Sequence, residues 1–124
     1  WNSILGDEFD GMYPALERIT GLGYRIIFFS DTSLLHLARI FRVLRLSVLV
    51  SGGIYSFEVG ASKPDGAIYE AFEKKYGIPV FYTDDKLPNI EAGLSRGWFS
   101  RQFTSPDDFL KAFMQRHGQL ISKE

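Results

Sequence analysis

Four side chains in this sequence are of types that together can hold a phosphoryl group: Ser30, Lys63, Asp84 and Asp85. A hydroxyl and an ammonium group orient and neutralise non-bridging phosphate oxygens, while carboxylates supply the hard oxygen donors that Mg2+ prefers. Asp84 and Asp85 are adjacent, so they repel one another and favour a nearby cation. A nucleophile is not evident. Ser30 attacks only if a general base takes its proton, and neither His36 nor His117 has a partner at a spacing that builds such a pair.

Taken singly, each residue has a plainer role. Ser30 by itself reads as a hydroxyl capping a strand-to-helix junction. Lys63 before Pro64 reads as a solvated loop lysine, because lysine is rarely buried without a partner. One acid of the Asp84–Asp85 pair reads as a cap for a helix beginning near Pro88. His36 and His117 read as surface residues, the stripe of Arg39, Arg42 and Arg45 as a solvated helix face, and Trp98 as packing. It is the combination that points to chemistry, and only if the fold gathers the residues.

The apolar pattern alternates between helical spacing and short β-rich runs, which predicts an α/β fold with a parallel sheet covered by helices. Met12, Leu16, Ile19 and Leu22 share a helical face ended by Gly21 and Gly23. Residues 25–30 (RIIFFS) then form a buried strand, and a broadly apolar helix spans about Ser33 to Leu46. A second strand is predicted over Ser47–Val50, with Gly52 and Gly53 opening an irregular loop up to Pro64. A helix follows through Ile68, Ala71, Phe72 and Tyr76, stopped by Gly77 and Pro79. Val80–Thr83 is the third strand, a short helix runs from Pro88 to Gly97, and Trp98–Phe103 is the last strand. Ser105, Pro106, Asp107 and Asp108 open a final helix that turns Phe109, Leu110, Phe113 and Met114 inward. Ligands of parallel sheets bind at the carboxyl ends of the strands, and Ser30, Lys63 and Asp84–Asp85 all fall at such ends or in the loops after them.

Three stretches carry a resemblance: residues 25–30 (RIIFFS), 60–65 (GASKPD), and 80–93 (VFYTDDKLPNIEAG) with Gly97. In order and spacing they resemble the second, third and fourth motifs of the haloacid dehalogenase superfamily, and the likeness spans roughly Met12 to Phe113. The resemblance implies a Rossmann-like three-layer sandwich, with a mainly parallel sheet covered by helices on both faces. It implies that Ser30 hydrogen-bonds the transferring phosphoryl group and that Lys63 stabilises its charge. Asp85 stands where the family has its metal-binding acid, Asp84 lies beside it, and Asn89 occupies the supporting position often held by a second acid. The implied activity is Mg2+-dependent phosphatase chemistry through an aspartyl-phosphate, on a small phosphorylated metabolite.

Two departures accompany the likeness. The family's first motif carries the nucleophile upstream of a cap. Here Asp7 to Gly11 places two residues between its aspartates where the family has one. The expectation is that the nucleophilic segment lies outside this chain, which begins with Trp1 rather than Met. Asp31 also stands where relatives usually carry Asn. The family's first-motif strand lies between those ending at Ser30 and Asp85, so its absence leaves backbone donors and acceptors unmatched. Residues 2–6, a further segment or a partner chain is expected to complete the sheet. A catalytically inactive domain of this type, serving as a binding or assembly module, is the alternative. A two-component receiver domain uses similar groups, but in the order acid pair, hydroxyl, Lys-Pro, which this chain does not follow.

Composition bounds the remainder. The 124 residues suit one domain, 45% hydrophobic and 23% charged, so neither disorder nor a membrane protein is indicated. Fourteen basic and fifteen acidic residues leave a net charge of −1, which gives no reason to expect nucleic acid or an anionic membrane as partner. With no cysteine, disulfides, thiol catalysis and zinc fingers are excluded, and a cytoplasmic setting is expected.

Overall fold

The computed structural model describes residues 12–30 and 50–122, with Met12, Tyr13, Ser30 and Val50 described by backbone alone. The helix expected from Ser33 to Leu46, with His36 and the three arginines, lies outside the described residues, as do Asp31, residues 47–49, residues 2–6 and the stretch from Asp7 to Gly11.

Helix α1 (Met12–Gly21) buries Ala15, Leu16 and Ile19, the face its spacing predicts, whereas Leu22 lies beyond the helix and is exposed. Gly23 turns the chain at φ 96°, a value that favours glycine. Strand β1 (Ile26–Ser30) follows and pairs in parallel with β2 (Val50–Tyr55), Phe28 opposite Gly53 and Phe29 opposite Ile54. The strand therefore continues through Gly52 and Gly53, where the sequence pattern predicts a loop. The ladder with β1 satisfies the glycine backbone, and tyrosines fill the space that side chains would take. A Cβ at Gly52 would meet the Tyr76 hydroxyl oxygen at 2.3 Å.

A one-turn helix α2 (Ser56–Val59) ends at Gly60, whose φ is 79°. Helix α3 (Gly66–Tyr76) starts at Asp65, whose carboxylate accepts the Ala67 N–H at 2.9 Å, and stops at Gly77. Strand β3 (Tyr82–Asp84) and strand β4 (Ser100–Gln102) flank helix α4 (Leu87–Ser95). Both strands are shorter than the apolar runs, because their pairing starts where the Tyr82 N–H donates to the Phe99 carbonyl and closes where the Phe103 N–H donates to that of Asp84. Helix α5 (Pro106–Ile121) is capped by Ser105, which accepts the Asp108 N–H at 3.1 Å.

The result is a mixed α/β fold with small parallel sheets, β1 with β2 and β3 with β4. Among the described residues no ladder joins β1 to β3. Consecutive side chains of a strand point to opposite faces, and Phe28 and Phe29 accordingly enter different cores. Phe28 joins Leu16, Ile19, Phe109 and Phe113 from α1 and α5, while Phe29 joins Ile68, Tyr69, Phe72 and Trp98 on the side of α3. Phe29 meets the Tyr69 ring edge to face at 5.0 Å, a geometry favoured by the ring quadrupoles. His117, expected on the surface, is half-buried on α5 and hydrogen-bonds the Tyr24 hydroxyl through Nδ1 at 2.8 Å. Among the described residues no helix is long and apolar enough to cross a membrane.

Candidate functional site

Lys63 lies in the connection between α2 and α3, in a turn closed by the Asp65 N–H donating to the Ser62 carbonyl at 2.8 Å. That turn directs the side chain inward, where it is only 3% exposed. An ammonium so far from water loses hydration that must be replaced by acceptors. The replacements include the Phe29 carbonyl at 2.8 Å and the Asp84 carboxylate, while the Phe29 ring face lies 5.1 Å from Nζ. Lys63 thus ties the carboxyl end of β1 to that of β3. It touches the residue before Ser30 and the residue before Asp85 at once.

Asp84 is held as closely. Its Oδ2 accepts from Lys63, from the Tyr82 hydroxyl at 3.2 Å and from the Asn89 side-chain amide at 3.2 Å, and its Oδ1 accepts the Lys86 N–H at 2.9 Å. Four donors match the acceptor capacity of a carboxylate. The Lys86 contact turns the chain into α4, so Asp84 is the structural acid of the adjacent pair as well as the partner of Lys63. Burial, and then the negative charge of Asp84, push the Tyr82 hydroxyl far above the ordinary tyrosine range, so it stays a protonated donor.

Ser30 closes β1 with its backbone opposite Tyr55. Asp85 follows β3 at a bend, half-buried, and its carbonyl accepts from the Gln102 side chain at 3.0 Å. Among the described residues no group of three or more His, Asp, Glu or Cys side chains could hold a metal. Asp84 is thus committed to donors of the protein, with Asp85 beside it at the bend.

A cleft of about 140 Å3 separates the two sheets. Ile26 to Phe29 of β1 form one wall, and Val80 to Thr83 form the other. Leu16, Ile19, Phe109 and Phe113 close it on one face, and Phe72 and Trp98 on the opposite face. The lining is mainly apolar, with Arg25 and Thr83 among the polar exceptions.

Sequence reasoning missed Tyr82 as part of the site. The signal was present, because residues two apart on a strand share a face and Tyr82 is two before Asp84. It also missed the clamp beneath Trp98, where the Glu73 carboxylate accepts from Arg96 at 2.7 and 3.0 Å and from the Trp98 indole N–H at 2.8 Å. Glu73 and Trp98 are 25 residues apart, beyond any local pattern.

No protein-family profile matches this chain, and no curated protein does so. The fold is similar to that of an uncharacterized protein from Corynebacterium glutamicum, known from a crystal structure, with a TM-score of 0.77 and 21% identity over 93% of this chain and 88% of the other.

Proposed function

We propose that this chain is a haloacid-dehalogenase-like hydrolase core, which binds the phosphoryl group of a small phosphorylated metabolite at the edge where β1 and β3 end. The observation that carries this reading is the placement of Lys63, a nearly fully buried cation anchored to the carboxyl ends of both strands. A fixed positive charge at that edge attracts a tetrahedral anion without reorganising as it binds. Ser30 would donate its hydroxyl to a phosphoryl oxygen, and Asp85 would hold Mg2+, which when bound offsets the charge of the phosphate. In this reading the two parallel pairs and their flanking helices belong to a three-layer sandwich. The cleft between β1 and β3 receives an extended polypeptide segment from outside the described residues, and that segment brings the aspartate on which the aspartyl-phosphate forms.

A second reading rests on the same cleft. A domain that accepts a strand there without a nucleophile is a binding or assembly module, with Lys63 and Asp84 as its structural closure.

Titration of the chain with inorganic phosphate, with and without Mg2+, tests the first reading. Binding that strengthens with Mg2+, is lost in Lys63→Met and loses its Mg2+ dependence in Asp85→Asn is expected. Phosphate binding unaffected by either substitution overturns it. Hydrolysis of a generic phosphate ester by a longer form that supplies the segment, absent from the chain alone, separates the enzyme from the module.

A further inference from the structure

The polar groups behind Lys63 form a chain whose proton arrangement can be worked out. Each tyrosine hydroxyl owns one proton. The Tyr69 hydroxyl donates to the Asn89 carbonyl at 2.7 Å, and the two hydroxyl oxygens of Tyr69 and Tyr82 lie 3.3 Å apart. The Tyr82 proton therefore has two acceptors to choose from, a neutral phenol oxygen and the Asp84 carboxylate, and the charged acceptor makes the stronger bond. Because burial holds Tyr82 protonated, this donor persists across the pH range of any ordinary enzyme.

The consequence concerns a soft torsion. Rotation of an aspartate carboxylate about χ2 meets only broad, shallow wells, so its orientation is set by the donors around it. At Asp84 the Lys86 N–H fixes Oδ1, while Oδ2, the oxygen that grips Lys63, also receives the Tyr82 hydroxyl and the Asn89 amide. We propose that Tyr82 is a positioning residue for Lys63, its hydroxyl locking the Asp84 carboxylate so that the ammonium stays beneath the ends of β1 and β3. This rests on the reading of Lys63 as the phosphoryl-binding cation, and it assigns the precision of that cation to a residue that never touches substrate.

Tyr82→Phe removes one oxygen and leaves the ring in the core. Tyr69→Phe is the control, since it removes a hydroxyl from the same cluster that bonds the Asn89 carbonyl rather than Asp84. In the full chain labelled with 15N at lysine Nζ, the Lys63 ammonium signal is assigned by its loss in Lys63→Met. Tyr82→Phe is expected to shift and broaden that signal and to weaken inorganic phosphate binding on the order of tenfold, the loss of one hydrogen bond to a charged group. Tyr69→Phe is expected to leave both unchanged, even where it lowers the melting temperature as much. An unaltered Lys63 signal in Tyr82→Phe, or equal changes in both variants, overturns the proposal. If Tyr82→Phe fails to fold, Asn89→Ala removes another donor to the same oxygen and is read in the same way. A wild-type chain that binds no phosphate refutes the hydrolase reading, while the Lys63 signal still decides the positioning role.

Discussion

The Lys63 ammonium and the Asp84 carboxylate, 21 residues apart in the chain, form a buried ion pair with side chains 3% and 2% exposed. Removing one partner of such a pair strands the other charge away from water, which costs more than the pair itself contributes. Lys63→Met and Asp84→Leu are each expected to destabilise the fold by about 3–5 kcal/mol. The double variant should cost clearly less than the two losses added. Urea denaturation of the four proteins measures this, and simple additivity would show that the two groups do not interact.

The clamp of Glu73, Arg96 and Trp98 predicts a pH dependence. Hydrogen bonds from Arg96, and then from Trp98, hold the Glu73 carboxyl below its usual range. A carboxyl depressed in the folded state contributes stability that is fully present above its unfolded value, roughly pH 4.3, and that is lost as pH falls through the lower folded value. Melting temperatures recorded from neutral pH downward should therefore fall on the acid side in the wild type. Glu73→Gln should start lower by about 1–2 kcal/mol at neutral pH, the worth of a charge-assisted hydrogen bond, and lose less on acidification. Parallel curves for the two proteins would contradict this role.

Gly93 sits where α4 crosses β3 and β4. A Cβ there would lie 2.5 Å from the Ser100 hydroxyl and 2.8 Å from a ring carbon of Tyr82. Gly93→Ala ordinarily favours a helix, but here it should destabilise by about 1–3 kcal/mol through overpacking. Gly118, in the last turn of α5 with nothing within 4 Å of the added carbon, is the contrasting site. Gly118→Ala should be neutral or stabilising by thermal denaturation, and the opposite ranking would overturn the packing argument.

Much of the fold can be read along the chain because the signals are local. The apolar face of α1, the Ser105 cap, the stops at Gly77 and Gly97 and the apolar run of β1 each depend on a few neighbouring residues, and the structure contains all of them. The continuation of β2 through Gly52 and Gly53 was not legible. A glycine pair reads as a turn unless a partner strand and the rings of Tyr55 and Tyr76 arrive from elsewhere.

The candidate site divides in the same way. Residue types and order identified Ser30, Lys63, Asp84 and Asp85, because polar groups at the ends of buried strands stand out against an apolar background. What each acid does could not follow from order alone, since Asp84 and Asp85 are chemically identical neighbours. Their difference arises from burial, which places Asp84 among donors from Lys63, Tyr82, Lys86 and Asn89 and leaves Asp85 at the bend beyond the strand. Local propensity is written in adjacent residues, whereas desolvation and hydrogen-bond partnership depend on groups that only folding brings together.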